Sequence, residues 1–469
     1  MSASKKPPAM SLERQQAAEY HNQGVQGAGG DHQLAYKLLL SACEIDQSFA
    51  GAWYAHGNSN SDLDLRPAAV ACFRRVLEMP TGPGESGDRD AAMTLKALIN
   101  IGHRLYHMGR LAEAEEFTRR ALEQDPNSSY ALINLSMIES LGGNQAECIR
   151  LCKKAFALDQ TPVVELALAF ALLFDRQFIE GLRHFECRFA YKDQNFLKYP
   201  YTRWKGEPGQ TVYIVGDQGI GDSLSYLRFV AQAAERCRRI VLGIQPEIAR
   251  MAQDALPMNV EVAPLPHAFP AADFWCPIVS LPVALGLTDA EFINAPGVVV
   301  RDYRLPAHWK VLGRFAIGIA WAGSKQNDID RWRSLALEQF LELYRVPGIQ
   351  LYSLQVGEHA ADVHRFGAAA LVKDLSPMIR DATDTAAIIR ELDLVITIES
   401  FVGHLAGAFG KECWIPASFY GRDYRCGHTG SSSIWYPKHK LFRQGQHESW
   451  QPVFDRICRA LRGRLNGND

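Results

Sequence analysis

The chain has 469 residues, too long for one ordinary domain, and its 47% hydrophobic and 22% charged content suits sizeable globular cores. A formal charge of −2 excludes the strongly basic footprint of a general nucleic-acid binder and gives no reason to expect an anionic membrane as partner. The N-terminus lacks the apolar core of a secretory signal, and no run of about 18 apolar residues occurs, so a cytoplasmic location without membrane insertion is expected. The 10 cysteines include no Cys-x-x-Cys pair, and Cys72, Cys276 and Cys413 fall inside apolar patterns. They read as reduced, buried thiols rather than disulfides or metal ligands.

The first elements repeat. Residues 111–126 recur as 145–160, with Ala112 matching Ala146, Ala121 matching Ala155 and Asp125 matching Asp159, each 34 positions apart. Ala42 and Val76 are also 34 apart, and the 45-residue step from Val76 to Ala121 leaves 11 extra residues in a turn-rich insert at 80–88. A period of about 34 residues with small side chains at fixed places is the tetratricopeptide pattern of stacked helix pairs. Alanines let two helices approach closely, and polar turns such as Asp125-Pro126-Asn127 stop one helix and start the next. The array is placed at residues 11–190. Its concave face would hold a protein or peptide, and a spacer or dimerisation role fits the pattern equally.

After a linker at 191–210 the texture changes to strand, glycine turn and helix. Short apolar runs at 211–215, 240–244, 260–263 and 274–279 form one series, those at 315–321, 349–354, 393–398 and 412–415 a second. Two such series predict two parallel α/β lobes, at 211–301 and 314–464, joined by a linker at 302–313. A ligand cleft is expected between them, at the carboxyl ends of the strands. The first turn is not a dinucleotide fingerprint. Its glycines run Gly216-x-x-Gly219-x-Gly221, and the second strand ends in Gln245 where a nicotinamide site needs an acid.

The segments Trp204-Lys205-Gly206-Glu207-Pro208, Gly216 to Ser223, Arg333-Ser334-Leu335, Ser353 to Gly357, Leu392 to Lys411, Trp435-Tyr436-Pro437 and Leu441 to Gln444 occur in order. Together they resemble bacterial tetratricopeptide proteins that carry a glycosyltransferase domain related to the heptosyltransferase group. The arrangement is more distantly similar to O-linked N-acetylglucosamine transferases. The resemblance implies an α-solenoid followed by a GT-B fold of two Rossmann-like lobes. The implied activity is metal-independent, inverting transfer of a sugar from a nucleotide-sugar donor to a protein or glycan acceptor, with no cofactor.

The resemblance places Glu399 and Ser400 at the donor site. Physically, a buried strand ending at Ile398, Ser400 as helix N-cap, and the small residues Gly403, Ala406, Gly407 and Gly410 present free N–H groups suited to a diphosphate. His404, one turn in, would donate to a phosphate oxygen. Simple capping and a buried core histidine are the competing readings. Asp222 matches the general base of the heptosyltransferase relatives, against a reading as N-cap of a helix starting at Ser223. Gln218, Gly219 and Gly221 would lie along the substrate, with Asp217 a weaker acidic candidate on the same loop. Arg333, and less firmly Lys325, would offset phosphate charge.

Three departures stand out: Glu399-Ser400 where the family has Asp-Thr, Gly403 where it has Ala, and no tryptophan-rich segment within 416–434. Two alternatives stay open, a non-catalytic adaptor with decayed transferase lobes and a GT-B sugar-nucleotide epimerase.

Overall fold

In a computed structural model of the chain, the described residues are 11–26, 30–80, 89–190, 199–295, 297, 309–324, 330–421 and 423–467. The chain divides into two compact units, Met1–Leu168 and Ala169–Asp469.

The first unit is a run of helical repeats. Helices α1 (Leu12–Gln26), α2 (His32–Ile45), α3 (Ala50–Asp62), α4 (Arg66–Glu78), α5 (Ala91–His107), α6 (Leu111–Gln124), α7 (Ser129–Leu141) and α8 (Gln145–Leu158) pack as successive antiparallel hairpins. The 34-residue alanines explain the spacing: Ala42, Ala121 and Ala155 are fully buried between helices. The recurring aspartates close the hairpins. Asp46, Asp125 and Asp159 follow the second helix of each pair, their N–H groups bonding Ala42, Ala121 and Ala155 carbonyls. Their carboxylates accept the N–H two residues on, from Ser48, Asn127 and Thr161, so one residue ends a helix and shapes the turn. Of the insert, residues 81–88 lie outside the described residues.

Helix α9 (Pro162–Phe174) crosses the unit boundary, and α10 (Phe178–Phe185) belongs to the second unit. There Leu173, Phe178, Ile179 and Leu182 join the sheet core. Gly181 allows this tight turn, since a Cβ on it would sit 3.0 Å from the Leu173 nitrogen. The last repeat helix therefore packs with the α/β region, although the 34-residue pattern groups it with the array.

That region holds two all-parallel sheets among the described residues. The first contains β1 (Thr202–Arg203), β2 (Thr211–Val215), β3 (Arg239–Ile244), β4 (Val260–Pro264) and β5 (Phe274–Pro277), in the order β1-β5-β2-β3-β4. Helices α11 (Ile220–Arg236), α12 (Pro246–Ala255), α13 (Leu281–Ala284) and α14 (Asp289–Asn294) accompany it. Asp289 fixes α10 to this sheet region by accepting the Ile179 N–H at 2.8 Å. The stretch read as a linker contributes β1, and Trp204 there is only 2% exposed.

The second sheet contains β6 (Phe315–Ala320), β7 (Ile349–Ser353), β8 (Val372–Asp374), β9 (Leu394–Thr397), β10 (Cys413–Ala417) and β11 (His439–Arg443). Helices α15 (Asp330–Arg333), α16 (Leu337–Leu341), α17 (Asp362–Arg365), α18 (Ala382–Glu391), α19 (Phe401–Ala408) and α20 (Trp450–Leu465) flank it. Its order β8-β7-β6-β9-β10-β11 is that of a doubly wound sheet, whose strand order reverses between β6 and β9. One hydrophobic cluster draws on both sheet regions, and α11 packs on α19 and α12 on α18. Much of the space expected as an open cleft is thus filled by helix contacts.

Candidate functional site

In a parallel sheet, backbone groups and helix N-termini converge where strand order reverses, leaving a crevice at the carboxyl ends. In the first sheet that point lies between β2 and β5, and it is filled. Asp217 follows β2, accepts the Val279 N–H at 3.1 Å and pairs with Arg188 at 2.9 Å; both side chains are buried. Arg188 also bonds Ser280 and Glu186, closing the crevice with a buried ionic network. Asp217 is therefore a structural member of the loop, and its charge is turned inward.

The second sheet keeps its crevice. Thr397, the last residue of β9, donates through Oγ1 to the Ala320 carbonyl at the end of β6, setting the two strand ends side by side. Arg333 bridges above them, donating through Nη1 to the Glu399 carbonyl at 2.8 Å and pairing with Asp330 at 3.3 Å. Gly323 leaves room for that pair, because a Cβ would fall 2.1 Å from the Asp330 carboxylate and displace it. Lys325 lies outside the described residues.

Ser400 is the N-cap residue of α19, but its hydroxyl makes no capping bond. It shares a hydrogen bond with Thr397 Oγ1 at 3.1 Å. The side chain that caps many helices is thus drawn to the strand end, and the first-turn N–H groups of α19 receive no side-chain cap.

A small pocket of about 260 Å³, including its part open to solvent, lies at this helix end. Glu399, Ser400, Gly403 and His404 line it, joined by Ile415, Asp423, Arg425, Cys426, Tyr436 and His439. Glu399 is 7% exposed; its Oε1 accepts the Asp423 N–H at 3.3 Å, while Oε2 is buried with no protein partner. Burial, and then the neighbouring Asp423 carboxylate, push the Glu399 acid up to about 8. Its carboxyl is accordingly protonated at neutral pH and is a hydrogen-bond donor.

His404 is neutral. Burial first, then Arg425, bring it down to about 3. Its Nδ1 lies 3.2 Å from the Tyr436 hydroxyl and 3.3 Å from Ser225 of α11. Gly221 makes this approach possible, since a Cβ there would stand 2.7 Å from the imidazole. Burial likewise lowers His439, to about 4.

Asp222 reaches the pocket through an arginine. It is the third residue of α11, which begins at Ile220, earlier than the sequence suggested; its Oδ2 accepts the Gly219 N–H at 3.2 Å. Its Oδ1 pairs with Arg425 Nη2 at 2.8 Å across the two sheet regions. The Arg425 Nε in turn holds Asp423 at 2.9 Å. Burial works against both of these charges. Asp423 outweighs it for Arg425, keeping the guanidinium well above its ordinary range, and Arg425 outweighs it for Asp423, holding that carboxyl low.

The structure therefore gathers Glu399, Ser400, Gly403 and His404 into one pocket, with Arg333 on the Glu399 backbone and Asp222 linked through Arg425. Gly219 is the N-cap of α11, and Gln218 precedes it at φ 67°, a left-handed conformation unusual for a side-chain-bearing residue; neither lines the pocket. Asp423, Arg425 and His439 were not singled out from the sequence. The first two sit in the aperiodic stretch marked only as a departure, and only their charge hinted at them. Tyr436 was visible within Trp435-Tyr436-Pro437, without a role.

Comparison with known proteins supports the repeats. Residues 95–128 match the tetratricopeptide repeat. Protein FlbA of Caulobacter vibrioides is 24% identical over 495 residues, an alignment covering 93% of this chain and 78% of the relative. Among solved structures, a thermophilic TPR protein of Thermus thermophilus is 18% identical, covering 38% of this chain and 93% of its own, with a TM-score of 0.32. Pseudomonas aeruginosa PilF is 23% identical over 39% of this chain and 80% of its own, with a TM-score of 0.31. The chain is thus a repeat protein distantly related to FlbA, with parallel sheets after its helical repeats. Among the described residues no helix is long and apolar enough to cross a membrane, and no cluster of three metal-ligating side chains occurs.

Proposed function

We propose that the parallel-sheet region is a GT-B glycosyltransferase that moves a sugar from a nucleotide donor to an acceptor hydroxyl, with the donor diphosphate at the start of α19. The observation that carries this reading is the helix end itself. Uncapped N–H groups open at the reversal point of a doubly wound sheet, beside a buried, unpartnered Glu399 oxygen. Free N–H groups and a helix dipole favour phosphate, and a protonated Glu399 adds a donor for a phosphate or sugar oxygen.

In this reading Asp222 accepts the proton of the acceptor hydroxyl. The hydroxyl oxygen bonds to the anomeric carbon as its bond to the diphosphate breaks, and the nucleoside diphosphate leaves with the bonding pair. The α19 N-terminus, Arg333 and Arg425 offset the charge that develops on it. The acceptor is a protein held by the repeats, and the reaction belongs to the cytoplasm, where thiols stay reduced.

A second reading has one observation in its favour. The pocket is small, and Asp222 is already committed to Arg425, as in a lobe pair that has become a binding module. Titration of UDP-, GDP-, dTDP-, ADP- and CMP-linked sugars, with nucleotide release followed, separates the two. Release that stops in Asp222→Asn supports transfer; absence of binding by every donor refutes it. Conversion of the free sugar nucleotide without an acceptor identifies an epimerase instead.

A further inference from the structure

Among the described residues, the charges around the pocket do not balance for an incoming anion. Arg425 is 7% exposed and is shared by two carboxylates, Asp222 on α11 and Asp423 beside it on the loop after β10. Arg333 is partly offset by Asp330, and Glu399 and His404 are neutral at pH 7. The clasp of Asp222, Arg425 and Asp423 therefore carries one net negative charge. A diphosphate arriving at α19 would meet that charge unless a cation changes partners.

Arg425 is built to do so. Asp423 grips its Nε edge at 2.9 Å and, through its other oxygen, at 3.1 Å. The opposite edge reaches outward, Nη2 to Asp222 at 2.8 Å and Nη1 to Ser225 at 3.3 Å. A planar guanidinium held along one edge presents its other N–H groups as a fork that fits a carboxylate or a phosphate equally well. Only the outer edge needs to exchange.

Resting on the transferase reading, we infer that Arg425 is an exchangeable clasp whose outer edge pairs with Asp222 in the free protein and passes to the diphosphate when donor binds. The transfer does two things at once. It supplies a cation to the α19 pocket, and it releases the Asp222 carboxylate to take a proton from the acceptor. Donor binding thereby arms the base, and acceptor hydroxyls are not activated before a donor is in place. Arg425 touches the leaving group in this scheme, whereas Asp423 is a positioning residue that keeps the guanidinium in reach of both partners.

The test is a double-mutant cycle on diphosphate affinity, read by calorimetry with UDP, GDP, ADP and dTDP as probes and requiring no turnover. Arg425→Gln is expected to weaken the bound probe about tenfold or more. Asp222→Asn frees the arginine in advance and is expected to tighten the same probe by about fivefold to tenfold, while abolishing transfer. In the Arg425→Gln background that tightening must vanish, because no shared cation remains. An equal effect of Asp222→Asn in both backgrounds would mean simple repulsion between carboxylate and phosphate and would overturn the clasp, as would unchanged affinity in Arg425→Gln. Should Arg425→Gln fail to fold by thermal melting, Arg425→Lys serves the same cycle. Its single ammonium cannot hold Asp423 and exchange between two partners, so the Asp222→Asn tightening must again be lost. A wild-type protein that binds none of the four probes removes the transferase reading and the clasp together, whereas binding with an additive cycle removes the clasp alone.

Discussion

Replacing Glu399 by Gln tests the most unusual electrostatic feature of the site. Glutamine keeps the Oε1 acceptor for the Asp423 N–H and puts a permanently neutral amide where Oε2 stands unpartnered. The folded protein holds the acid at about 8, against an ordinary value of 4.5 in the unfolded chain. Between those values the folded state binds the proton that the unfolded state has lost. Stability from this group is therefore complete below pH 4.5 and is lost as pH rises toward 8, by about 1.4 kcal/mol per pH unit. Glu399→Gln has no such slope. Its stability relative to wild type should climb by about 3.5 kcal/mol between pH 5 and pH 8. Asp423 and His404 titrate in both proteins and largely cancel in the difference. Urea unfolding followed by tryptophan fluorescence measures it well, since eight of the nine tryptophans lie in the second unit. A difference that stays flat from pH 5 to pH 8 would show that Glu399 is ionised in the fold, and the neutral-donor role would fall with it.

Two glycines of α19 should respond in opposite directions. A Cβ at Gly403 meets nothing nearer than 3.6 Å, so Gly403→Ala should stabilise by about 0.5–1 kcal/mol through helix propensity. At Gly407 a Cβ would stand 2.3 Å from the Tyr436 ring, so Gly407→Ala should cost about 1–3 kcal/mol and disturb His404 through the Tyr436 hydroxyl; melting curves of both variants decide. The His404 ring, lowered to about 3, should stay neutral from pH 7.5 to pH 5. Its contribution to stability is present above the ordinary 6.5 and is lost as pH falls below it. Imidazole ¹⁵N shifts check this directly, and titration near pH 6.5 would refute it.

What the sequence revealed follows from periodicity. Alanines at 34-residue spacing mark helix crossings because no larger side chain fits there, and the apolar runs read as strands after residue 210 all contain strands. The two- and three-residue strands β1 and β8 are too short for any pattern, and β11 carries Lys440 outward. The doubly wound order of the second sheet depends on pairings that no local signal encodes. The site divides along the same line. Residues 399–404 were legible because a strand end and a helix start adjoin in sequence. Arg425 meets Asp222 across 203 positions, so nothing local to either residue announces the contact. Ser400 shows the limit of local chemistry: a good capping residue, it bonds Thr397 instead because the strand end offers a nearer partner.

The burial of Phe178, Ile179 and Leu182 in the sheet core also bears on how such a protein can change over evolutionary time. Whole 34-residue units upstream of Leu168 are interchangeable in principle, since each contacts chiefly its neighbours. Duplication or loss there would lengthen or shorten the array and alter its reach without touching the sheets. The hairpin that includes α10 is different. Deleting it would uncover the first sheet's core and leave Asp289 without the N–H it binds. Repeat number can drift at one end of the array, while the last helix is inherited with the sheets.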